Sequence, residues 1–182
     1  MSCALTSDYT YLGCKGGAGG IKAVYMTEIA NNATFAVTAG VVTTWTLTTG
    51  KEFKKYLLDK EMGFFTNAGT YTPNSGTVSY EPQIDFTIKK LTSAMIQEMH
   101  LIAQNTLMMI VQDVNDDYWA FGCGDSATEM NGRGMDLMTW SNESGTAITD
   151  FNGSKMSFKG KEIGPIYKVT SSLITTLTAP AS

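Results

Sequence analysis

Alternation at period two constrains this chain more than any other feature. Ile84, Phe86 and Ile88 interleave with Gln83, Asp85, Thr87 and Lys89. Phe35, Val37 and Ala39 oppose Thr34 and Thr38, and after Gly40, Trp45 and Leu47 oppose Thr44, Thr46 and Thr48. An apolar and β-branched pattern of this period puts one face of a strand on a core and the other in water. Ile21–Met26 reads as a short first strand. Thr106–Gln112 is apolar on both faces, which predicts a central or doubly covered strand. Asn115-Asp116-Asp117 is turn chemistry, and Tyr118–Cys123 returns beside it. Further strands are expected around Thr128–Met130, Met135–Trp140, Lys155–Lys159 and Ile166–Val169.

One segment breaks the pattern toward a helix. Thr92 suits an N-cap, with Leu91 before it and Ile96 after it placed for a hydrophobic staple. Met95, Met99, Ile102 and Ala103 then share one face, and Gln104-Asn105 ends the run. Residues 50–80 read differently again. They open with Lys51, Glu52, Lys54, Lys55, Asp59, Lys60 and Glu61, then turn aromatic and rich in Gly, Asn and Pro. A structureless loop of that length is improbable in a compact domain, so the segment reads as a long hairpin arm with exposed aromatics. The alternative is a hairpin folded over its own core.

The fold class expected is therefore mainly β: a sandwich or barrel with one α-helix at about 92–104 and a projecting arm at about 50–80. Residues 1–20 form an N-terminal arm ending in a Gly-rich run, 21–169 a single domain, and 170–182 a Thr/Ser-rich tail of open role. A length of 182 residues fits one domain against a prior of about 150 residues each.

Charge excludes several functions. Thirteen basic against 17 acidic residues give a net charge of −4, the wrong sign for a general nucleic-acid or membrane-surface binder. Charged residues are only 16% of the chain, against about a quarter in an average soluble domain. Either hydroxyls serve the solvent faces, or copies of the chain cover much of its surface, since interface cores are charge-poor. No secretory leader or apolar span is visible, so a soluble protein made in a cytosol is expected. Cys3, Cys14 and Cys123 are too few and scattered for a disulfide scaffold and read as reduced thiols.

Motif fragments fail their structural tests. Asp113-Val114-Asn115-Asp116-Asp117 begins like a calcium loop, but Tyr118 and Gly124 stand where Gly and Glu are required. Gly122-Cys123-Gly124 follows a strand but opens no helix for a pyrophosphate. His100 is the sole histidine, mid-helix and without a visible partner. No catalytic, cofactor-binding or metal-binding residues are assigned, and the chain does not read as an enzyme.

The segment Ser144–Glu162 contains Gly145-Thr146-Ala147, Asp150, Asn152-Gly153, a strand and Gly160-Lys161-Glu162. It resembles the ending of bacteriophage tail tube proteins, the major tail protein family related to the inner tubes of contractile injection systems. Val111–Trp119 is similar to their acidic, Asn-containing hairpin ending in Tyr-Trp, and element order corresponds over roughly residues 20–165. The opening Gly13-Cys14 with Gly19-Gly20-Ile21-Lys22 is similar to structural proteins of phages of Bacteroidetes-type bacteria.

The resemblance implies a tail-tube-type β sandwich and homo-hexameric rings stacked head to tail. It implies a lumen that passes DNA without specific binding, and contact with other tail proteins. The subunit would assemble in the host cytoplasm and reside in the virion tail, with no membrane partner and no cofactor. The arm would lie between rings, through Phe53, Tyr56, Phe64, Phe65, Tyr71 and Tyr80. Other readings are a tail terminator, a capsid decoration protein, or a carbohydrate-binding β-sandwich module.

Overall fold

The computed structural model describes residues 17–179. The expected arm over 1–20 falls mostly outside the described residues, as do Cys3 and Cys14. In chain order the strands are β1 (Ile21–Glu28), β2 (Asn32–Thr38), β3 (Val41–Leu47), β4 (Lys54–Leu57), β5 (Gly63–Thr72) and β6 (Thr77–Lys89). Helix α1 (Ser93–Gln104) follows, then β7 (Leu107–Asp113), β8 (Tyr118–Phe121), β9 (Asp136–Glu143), β10 (Gly153–Lys159) and β11 (Tyr167–Val169). Helix α2 (Ser171–Leu177) closes the described chain. Seven strands form one sheet in the order β2-β3-β11-β8-β7-β1-β4, and four form a second in the order β5-β6-β10-β9. The protein is thus mainly β.

β7 organises both halves of the interior. It pairs with β8 on one side and β1 on the other, which satisfies its backbone, and its first five residues are buried. Met109 and Val111 enter the core between the sheets, with Val24 and Met26 from β1 and Ile84, Phe86, Met156 and Phe158 from the second sheet. Met108 and Ile110 enter a second core on the opposite face, with Tyr25, Phe35, Val42 and Trp45. This double coverage is what the unbroken apolar run of residues 107–111 predicts.

The larger sheet curls until its ends meet. Phe53, just before β4, sets its ring 5.1 Å from Trp45 of β3, edge to face, and Phe35 approaches Trp45 at 5.2 Å in the same manner. The Phe53 amide donates to the Leu177 carbonyl at 2.9 Å, so α2 plugs the closure with buried Ile174 and Leu177. The C-terminal tail therefore has a structural role, and the fold has two helices instead of one.

Helix α1 forms as its sequence predicts. Thr92 caps it, its hydroxyl accepting from the Met95 amide at 3.2 Å, and Met99 and Ile102 are buried. Ile96, the expected staple residue, remains exposed.

Two further expectations are corrected. The arm does not begin at residue 50: β4 joins the edge of the larger sheet, and the hairpin proper is β5–β6, from Gly63 to Lys89. Residues 128–130 form no strand. They lie in a loop over 122–134 where Asn131 Oδ1 accepts from the amides of Asp125 (2.9 Å) and Ser126 (3.2 Å). Local side-chain bonding of this kind competes with a sheet ladder. Phe53→Ala removes the ring that joins the sheet ends and should cost about 3–5 kcal/mol in urea unfolding.

Candidate assembly interface

The β5–β6 hairpin is the part of the molecule that outgrows its core. Directly paired residues of an antiparallel ribbon share a face. One face therefore carries Gly63/Phe86, Phe65/Ile84, Asn67/Pro82, Gly69/Tyr80 and Tyr71/Val78. The other carries Phe64/Asp85, Thr66/Gln83, Ala68/Glu81, Thr70/Ser79 and Thr72/Thr77. The first row begins deep in the core, where Phe86 and Ile84 are buried and Phe65 sets its ring 5.3 Å from Phe121. It then passes Pro82, buried, and Tyr80, half-buried, and ends at Tyr71 and Val78, 61% and 45% exposed. The core-facing row thus continues after the core has stopped.

Support from neighbouring strands stops at the same place. β10 pairs with β6 only as far as Gln83. Beyond it, Gly160 donates to the Pro82 carbonyl at 3.0 Å, and Tyr80 and Glu162 exchange both backbone hydrogen bonds at 2.8 Å. From Ala68 to Ser79 the two strands pair only with each other among the described residues. At about 3.3 Å per residue this finger extends some 15–20 Å. Pro73 presets its turn, and Gly76 closes it with φ +64° as its amide donates to the Thr72 carbonyl at 2.9 Å. No charged residue occurs from Gly63 to Tyr80.

The six aromatics expected at an interface separate into three groups. Tyr71 and Tyr80 share the finger's core-side face, and Phe64 lies on the opposite face, 53% exposed. Phe65 is held in the interior against Phe121. Phe53 is only 2% exposed, and Tyr56 lies on β4, where its hydroxyl donates to Glu98 Oε1 of α1 at 3.0 Å. Burial and the Glu98 carboxylate both push the Tyr56 hydroxyl up. Phe53 and Tyr56 therefore belong to the body, because their segment is captured by the curled sheet and by α1. Val78 was not singled out from sequence. Its signal is the cross-strand register with Tyr71, which only the pairing reveals.

The other face of the small sheet holds an open groove of about 650 Å³. Phe64, Asp85, Thr87, Thr139 and Ser157 contribute to its lining. At the far end of the same sheet, the turn between β9 and β10 displays a fully exposed Ile148. Asp150 makes that turn rigid by accepting from the amides of Thr146 (2.9 Å) and Ala147 (2.7 Å), which lowers its carboxyl below the usual range.

Reactive groups are placed for structure. The Cys123 thiol is buried, and desolvation together with the Glu162 charge pushes it up, away from the reactive thiolate. His100 is exposed and bonds to Gln104 at 3.1 Å. Asp113 Oδ1 accepts from the amides of Asn115 (2.8 Å) and Asp117 (2.9 Å), so the calcium-like run is the β7–β8 turn. Among the described residues no group of three or more His, Cys, Asp or Glu side chains could hold a metal ion. No helix among them is long and apolar enough to cross a membrane.

No protein-family model, curated protein or solved structure matches the chain. Because the finger's tip touches no core, Tyr71→Ser with Val78→Thr should leave the subunit's urea midpoint within about 0.5 kcal/mol of wild type.

Proposed function

We propose that this chain is a structural, self-assembling subunit whose assembly is a bacteriophage tail tube. The rings, hexameric by the resemblance, stack head to tail around a lumen through which the genome leaves the virion. The observation that carries the reading is the finger. An uncharged ribbon that holds Tyr71 and Val78 in line with buried Ile84 and Phe86 is an incomplete core face. A second protein surface over that row would remove its apolar side chains from water, and the absence of charge keeps the desolvation cost low.

The geometry of the small sheet supports the stacking mode. The finger leaves one end of it, and the rigid turn bearing Ile148 leaves the other. Different surfaces at opposite ends of a subunit form heterologous contacts, which propagate into filaments when no rotation closes them. The excess of 17 acidic over 13 basic residues suits a conduit, because phosphate would not adhere to an acidic wall.

The groove beside Phe64 favours a second reading, a carbohydrate-binding module, since sugars stack on exposed aromatic rings beside polar groups. A glycan array separates the two, and binding by a monodisperse monomer would favour the module. The tube reading is tested by replacing residues 70–79 with an Asn-Gly turn that closes the Gly69/Tyr80 pair. The shortened subunit should fold with wild-type circular dichroism and form no stacked tubes under negative stain. Intact tubes from it would remove the finger from the assembly.

A further inference from the structure

Glu162 is the last residue to support the finger, and its side chain does something else. Its backbone exchanges both hydrogen bonds with Tyr80 at the finger's root. Its carboxylate reaches the 122–134 loop, where Oε1 accepts from the Arg133 amide at 2.8 Å. The residue is only 3% exposed, and Oε2 is buried without a hydrogen-bond partner. The glycines of the surrounding backbone have no room for a side chain. A Cβ on Gly164 would collide with the Gly124 carbonyl oxygen, and one on Gly132 with that of Gly122.

The charged and titratable groups around Glu162 come from several elements. Arg133, Cys123 and Asp125 lie on the loop, Tyr80 on β6 and Tyr167 on β11. Arg133 is the one cation whose charge acts on the carboxylate, and it is exposed, so water screens it. Lys161, next in the chain, points its charge to Glu81 at 3.8 Å. An ionised carboxylate with an orphan oxygen is far more costly to bury than the neutral acid.

We propose that Glu162 is a proton-controlled latch between the finger's root and the 122–134 loop. With the carboxyl neutral, the two are clamped. Ionised, Oε2 draws water and the contact opens. Burial raises Glu162 above its ordinary value, opposed by the Arg133, Gly134 and Gly124 amides and by the Arg133 charge. A folded value above the unfolded one means that the extra stability is complete below the usual glutamate range. It is lost as pH rises through the raised value.

Amide hydrogen exchange on the full chain, corrected for intrinsic rates, reads the opening at Tyr80 and Arg133. Protection there should fall with rising pH by about tenfold for each unit that Glu162 is displaced. Glu162→Gln should remove that pH dependence. The same slope in both proteins would overturn the latch. If the Gln variant does not fold, carbon-13 titration of the wild-type Glu162 carboxyl decides. A midpoint above the usual range that coincides with the loss of Tyr80 protection supports the proposal, and any other midpoint refutes it.

Discussion

Burial of β7 on both faces is the constraint from which the rest of the architecture follows. A strand with no polar side chain before Gln112 cannot lie at an edge or over solvent. Its backbone must be paired on both sides, and β1 and β8 do this. Its alternate side chains must each find a core, and they find different ones: Met109 and Val111 between the sheets, Met108 and Ile110 under the curl. Two cores on one strand require a second sheet above and a closed end below. The Trp45–Phe53 contact and α2 provide the closed end.

That economy stops at the β5–β6 hairpin. The small sheet covers the first core with the inner halves of β6 and β10, and β6 then runs on past its neighbour. The same alternation that buries Ile84 and Phe86 keeps presenting side chains to a core that has ended. Isolated two-stranded ribbons are marginal in water. A ribbon of this kind is held at its root by Tyr80 and Glu162, and in the proposed assembly a second surface would complete it. On this view the low charge content reflects two things at once. Threonine does serve the open faces, as where Thr34 and Thr46 meet at 2.6 Å between β2 and β3. The finger adds a charge-free surface of another kind.

Much of this was legible in the residues. Period-two runs located β2, β3 and β6, and a run apolar on both faces located β7, because each carries its burial pattern in its own side chains. Thr92 and the Met99–Ile102 stripe located α1 for the same reason. The aromatics of the arm were legible as a group but not as a face. Residues 53, 56, 64, 65, 71 and 80 differ in partners that no local pattern names: Trp45, Glu98, Asp85, Phe121, Val78 and Glu162. The strand expected over residues 128–130 failed because Asn131 offers the backbone a local alternative.

Sequence alone determined the mainly-β fold class, the place of its one long helix, the strand that must be central and the presence of an aromatic hairpin. These follow from the chemistry of side chains a few residues apart. The tertiary structure decided where the arm leaves the body, which aromatics it keeps, that α2 closes the curled sheet, and that a glutamate lies buried at the finger's root. Each depends on groups brought together from distant positions, and the free energy of such contacts has no counterpart in local sequence.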